Sequence, residues 1–114
     1  MTQDIENRIR NRESFLLAAD GQYIGKLTTN QYDIESICNQ YGIYGSRYSA
    51  TSIWNMYSQY GSRYAAYSAY NQYTATPPTI YLRGMQYGFL TKNTYKYKNI
   101  DPDTVISWMK QNNL

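Results

Sequence analysis

The chain reads as an α+β domain: two β-hairpins forming a small antiparallel sheet, a central run of 16-residue Tyr/Ser/Gly turn-and-short-helix repeats, and a C-terminal helix. Three observations predict this. FLLAADGQYIGKLTTNQY and TIYLRGMQYGFLTKNTY look like two copies of one hairpin, the chain between them repeats itself, and IDPDTV carries a helix start. A short β-solenoid is the alternative architecture. Residues 34–39 and 50–55 decide between the two, being helical in the first and strand in the second.

At the amino terminus, residues 1–13 are expected to be a short helix with Ile5 and Ile9 on one side, or a linker remnant. Arg8, Arg10 and Arg12 alternate with polar residues there, which reads as a solvated or frayed end. Residues 14–114 are expected to form a single repeat-containing domain, within the range of one core for 114 residues. The hairpin turns fall at Asp20-Gly21 and Arg83-Gly84. The first is a favoured type I′ pair, and the second is weaker because arginine tolerates positive φ poorly.

Sliding the chain against itself pairs Arg47 with Arg63, Tyr48 with Tyr64, Ser52 with Ser68 and Asn55 with Asn71. Running backwards, Tyr32, Ser36, Ile37 and Asn39 precede Tyr48, Ser52, Ile53 and Asn55. Asp33 and Ser49 stand as helix N-caps, with Ile37 and Ile53 packing on Tyr32 and Tyr48 as hydrophobic staples. The third unit has Ala65 and Ala69 at these places, so its turn is expected to be weakest. Glycines such as Gly42 and Gly45 end each turn, and Thr76-Pro77-Pro78 separates the last unit from the second hairpin. Ile100-Asp101-Pro102-Asp103-Thr104-Val105 then supplies a staple, a cap and an N1 proline for a helix through about Lys110.

Leu, Ile, Val and Phe make up only 19 of the 114 residues, while fifteen tyrosines and two tryptophans supply the missing apolar area. A tyrosine-rich, wet interior is the consequence. Cys38 has no partner for an intrachain disulfide and reads as a small core residue. The absence of histidine removes the commonest general base near neutral pH. Ser36 and Ser52 lack a base at any motif spacing, and Asp33, Glu35, Asp101 and Asp103 fit first helical turns. No enzyme, metal or cofactor is therefore expected. The N-terminus has no hydrophobic leader, so a cytoplasmic setting is the default and a trimmed secreted or envelope protein is the alternative.

Charge placement carries the functional expectation. Between Glu35 and Asp101 there is no carboxylate, while six cations and thirteen of the fifteen tyrosines fall in that interval. Arg47, Arg63, Tyr44, Tyr60, Tyr67 and Arg83 are the candidate binding residues, presented to a protein or glycan partner. Single-stranded nucleic acid or another polyanion is the alternative, since arginine interleaved with aromatic faces suits it. Exposed tyrosine edges would also support a homodimer, and no membrane insertion is expected because no long apolar run exists.

The YGxYGSxYSxxSxxN repeats, followed by Pro-Pro and a hairpin with GxLTxN, resemble a scattered set of small bacterial proteins over roughly residues 20–110. The resemblance implies a bacterial source and an envelope or secreted setting. It implies no activity.

Overall fold

Alternation along the strands decides where the apolar side chains collect. The computed structural model describes residues 2–114. In it β1 (Phe15–Leu17), β2 (Tyr23–Lys26), β3 (Thr79–Leu82), β4 (Met85–Leu90) and β5 (Asn99–Ile100) form one sheet in the order β2-β1-β3-β4-β5. The first three pairings, β2–β1, β1–β3 and β3–β4, are antiparallel, and the short β5, which the sequence did not announce, runs parallel to β4. Successive strand side chains face opposite ways. Leu16, Ile24 and Ile80 accordingly enter one core, and Phe15, Tyr23 and Tyr81 enter another.

Helix α1 (Gln3–Arg10) covers the second core with Ile5, and Thr2 caps it by accepting a hydrogen bond from the Ile5 N–H at 3.2 Å. The expectation of a solvated arginine run fails at Arg8. Its guanidinium donates to both carboxylate oxygens of Glu35 at 2.9 and 3.0 Å and to Glu13 at 2.9 Å, and it lies 3.8 Å over the Tyr23 ring. This ties α1 to the start of the repeat region and holds the Glu35 carboxyl below its ordinary range. Helix α2 (Val105–Gln111) seals the first core with Val105 and Met109. It begins later than its cap sequence suggests, because Asp101 first closes a turn. The Asp101 side chain accepts from the Asp103 N–H, and its carbonyl accepts from the Thr104 N–H.

The two hairpin turns exchange their expected roles. Arg83 and Gly84 both take positive φ, 51° and 82°, as a type I′ turn requires. At Asp20-Gly21 only the glycine does, and a three-residue loop is closed instead by the Ala18 N–H donating to the Gln22 carbonyl, with the Gly21 N–H donating to the Ala18 carbonyl and the Gln22 N–H to the Asp20 side chain.

The repeat region departs most from expectation. Residues 34–39 and 50–55 are neither helical nor strand, apart from one isolated bridge between Lys26 and Ser36. The chain makes tandem β-turns. The N–H of Ser52 donates to the Ser49 carbonyl, that of Asn55 to Ser52 and that of Ser58 to Asn55, at 3.0–3.3 Å, and the steps of three continue from Asn30 to Thr74. One step per unit is four residues long: Ser46 donates to Gly42, and Ser62 to Ser58. Four steps of three and one of four give sixteen. A helix does not form because the side-chain oxygen opening each triplet takes the N–H two residues on, as the Ser52 hydroxyl does from Trp54 at 3.1 Å and the Asn55 amide does from Tyr57 at 3.0 Å. The staple and cap geometry assigned to Tyr32 and Tyr48 is thereby corrected, and both rings are exposed. Ile37, Ile53 and Ala69, one per unit, do enter the first core.

The four-residue step demands glycine. A Cβ at Gly61 would stand 2.2 Å from the Asn55 carbonyl oxygen and 2.7 Å from that of Ile53, and one at Gly45 would stand 2.0 Å from the Asn39 oxygen. Gly61→Ala is expected to destabilise the protein by roughly 2–3 kcal/mol, since the obstacles are backbone. Gly21→Ala, with open space around it and only its φ to resist, should cost about 1 kcal/mol. Urea unfolding of the two variants checks the order; a reversed order contradicts the close approach.

Candidate binding groove

Each triplet ends on the residue whose N–H is captured, and in this chain that residue is usually aromatic. Tyr41, Tyr57 and Tyr73 follow Asn39, Asn55 and Asn71, and the Tyr48 and Tyr64 amides are held by Ser46 and Ser62. The asparagine side chains also reach back to fix the spiral: the Nδ2 groups of Asn39, Asn55 and Asn71 donate to the carbonyls of Asp33, Ser49 and Ala65 at 3.0–3.2 Å. The same bonds at the same interval place the tyrosines in rows.

An open groove of about 1940 Å³ runs along these rows. Arg47-Tyr48 and Arg63-Tyr64 line it at equivalent places in successive units, as do Tyr57 and Tyr73 and also Gln40 and Gln72, and buried Ile37 and Ile53 line it too. Tyr48, Tyr57, Tyr64 and Tyr73 are 92%, 90%, 88% and 85% exposed. Trp54 stands among them, its indole N–H donating to the Ile37 carbonyl of the preceding unit at 2.7 Å. Cys38 is half-buried here, and burial pushes its thiol up.

The electrostatics of the groove are one-sided. Arg47 and Arg63 are exposed and meet no carboxylate and no hydrogen-bond acceptor among the described residues. The lining contains one carboxylate, Asp103, and it is already engaged: Lys92 and the Tyr70 hydroxyl both donate to it, and Lys92 lowers its carboxyl below the ordinary range. Burial, then the bond to Asp103, pushes the Tyr70 phenol up.

Of the six sequence-derived candidates, Arg47 and Arg63 line the groove together. The other four lie elsewhere. Tyr44 sits edge-on to Tyr23, with ring centres 5.1 Å apart, beside the Arg8–Glu35 pair. Tyr60 is buried and donates its hydroxyl to Asp20 at 2.8 Å, and Tyr67 packs half-buried on the first core. Arg83 occupies the β3–β4 turn and donates to the Asn112 carbonyl at 2.6 Å. Trp54, Tyr48, Tyr57, Tyr64, Tyr70, Tyr73 and Lys92 line the groove without having been singled out. The signal that finds most of them is the three-residue spacing of tyrosine after serine or asparagine.

Comparison with protein-family models, with curated proteins and with solved structures finds no match to this chain. Among the described residues no helix is long and apolar enough to cross a membrane.

Tyr60 separates a structural tyrosine from the exposed rows. Burial and the Asp20 carboxylate push its phenol up to about 12 from 10.0. Below pH 10 the phenol is neutral in folded and unfolded chain alike, so its stabilising bond is fully present. Between 10 and 12 only the unfolded chain ionises, and stability falls as pH rises. Tyr60→Phe is expected to cost about 1 kcal/mol at neutral pH and to remove one late tyrosinate from the alkaline absorbance titration. An unchanged titration above pH 11 would show that Tyr60 is not held in this way.

Proposed function

We propose that the chain is a non-enzymatic binding module and that its Tyr/Arg-lined groove holds an extended carbohydrate chain. The observation that carries this reading is the double row of exposed tyrosines, Tyr48 with Tyr64 and Tyr57 with Tyr73, along one groove. A pyranose ring has an apolar C–H face that lies flat on an aromatic ring, and its hydroxyls need amide partners. Gln40 and Gln72 supply such amides, since neither is bonded elsewhere among the described residues. A volume of about 1940 Å³ exceeds the roughly 300–1,000 Å³ of small-molecule sites, which favours a chain over a single sugar. Glycoside hydrolysis ordinarily uses two carboxyl groups flanking the bond, whereas this lining offers Asp103 alone, held by Lys92 and Tyr70. Binding without turnover suits that lining better.

The second reading is single-stranded nucleic acid, and the unpaired guanidiniums of Arg47 and Arg63 favour it. A strand occupying such a site spans roughly 4–16 nucleotides and brings about as many phosphates. Two free arginines are few for that charge.

Isothermal titration against soluble polysaccharides and an oligothymidylate tests the choice. Stacking on one aromatic side chain contributes about 1–3 kcal/mol for a nucleobase, and a sugar face belongs at the lower end. Tyr48→Ala/Tyr64→Ala is expected to weaken polysaccharide binding at least tenfold with little change in melting temperature, because both rings are solvent-exposed. Tyr95→Ala, at an equally exposed tyrosine outside the groove, should bind as the parent does. Equal loss in both variants would contradict the groove.

A further inference from the structure

We infer that the carbohydrate chain bound in the groove is acidic, with oxyanion groups recurring along it that pair with Arg47 and Arg63; this rests on the carbohydrate reading above. The two arginines hold equivalent places. Each follows the serine that ends a four-residue step, Ser46 or Ser62, and each precedes an exposed tyrosine. One guanidinium therefore stands in each of two successive units along the groove, beside one aromatic face, while the first unit has Gln31 at this place. A ligand matching both features carries a ring and an anionic group in regular succession.

Position in the groove, together with the lack of a partner, is what sets these two apart. Arg8, Lys26 and Lys92 are ion-paired, Arg10 donates to the Asn7 side chain, Arg83 and Lys96 donate to backbone carbonyls, and Lys98 lies over Tyr87 and Tyr97, while the exposed Arg12 and Lys110 are unpaired among the described residues but do not line the groove. Within the groove the charge of Lys92 is offset by Asp101 and Asp103, so Arg47 and Arg63 are its two uncompensated charges. A guanidinium presents a planar fork of donors that suits carboxylate and sulfate oxygens, and it stacks on aromatic faces where an ammonium only points. Two isolated cations match a polymer with sparse charge. Acidic polysaccharides, with as few as one anionic group per disaccharide, meet that condition better than a nucleic acid with one per nucleotide.

The test uses matched polymers with about one charge per disaccharide: hyaluronan against its methyl ester, and kappa-carrageenan against its desulfated form, in about 50 mM sodium salt where exposed charges are weakly screened. At least one charged polymer is expected to bind tenfold or more tighter than its neutral counterpart, and which pair does so tells carboxylate from sulfate. Arg47→Gln/Arg63→Gln should abolish that difference without lowering the melting temperature, and Arg47→Lys/Arg63→Lys should retain part of it. Arg10→Gln/Arg12→Gln removes the same charge from another face and should change affinity less than twofold. Equal binding of charged and neutral polymers overturns the inference and leaves the carbohydrate reading standing. Binding of none of the four overturns both, and so does tighter binding of oligothymidylate. Equal losses in the two glutamine variants overturn the assignment to Arg47 and Arg63, since general polyanion attraction then accounts for the binding.

Discussion

The capture of a backbone N–H by the side chain two residues before it organises the repeat region, on which the groove depends. Residues 30–74 have no helix and no strand beyond one isolated bridge, yet a chain must satisfy its buried backbone polar groups. Serine, threonine, asparagine and aspartate do so locally. In each triplet the first residue's carbonyl takes the N–H three on, and its side-chain oxygen takes the N–H two on. Two of every three amides are thus bonded without a neighbouring strand. At Gly42 and Ala65, which have no side-chain acceptor, the carbonyl bond alone remains. No buried side-chain nitrogen or oxygen among the described residues lacks a partner.

This device explains the composition as well as the shape. With the hydroxyl or amide consumed by backbone, the middle residue of a triplet is free to enter the core, as Ile37, Ile53 and Ala69 do. The third residue is held by its own amide, which fixes the direction of its side chain at little further entropic cost. Placing tyrosine there yields ordered aromatic rows on a surface that has few carboxylates. The sheet supplies what the spiral lacks. Its apolar face, with Leu16, Ile24 and Ile80, gives the isoleucines of the units something to bury against, and the ion pair between Arg8 and Glu35 fastens the first unit to α1.

The α+β class, a small sheet with helices, was legible in the sequence, and the sixteen-residue interval is a matter of residue spacing alone. The content of the interval differs from the expected helical turns for a physical reason. Ser36 three residues after Asp33, with Ile37 following, resembles a capped helix start, because an N-cap and an Asx or Ser turn make the same first bond. Only repetition of that bond every third residue distinguishes them, and the [Ser/Asn]-x-Tyr spacing that records it is written in SRY, NMY and NQY. The groove followed in part. Arg47 and Arg63 stood out by charge, whereas Tyr44, Tyr60 and Arg83 share their residue types with the groove and differ only in tertiary neighbours, Tyr23, Asp20 and Asn112. Sequence spacing carries no record of those contacts.

Native-state amide hydrogen exchange across residues 52–64 tests the tandem-turn account most directly. The account predicts slow exchange at Trp54, Asn55, Tyr57, Ser58 and Tyr60, whose N–H groups are bonded, and fast exchange at Met56, Gln59 and Arg63, which are exposed and have no partner. Protection continuous through Met56 and Gln59, as in a helix, or alternating strictly by two, as along the edge of a sheet, would contradict it.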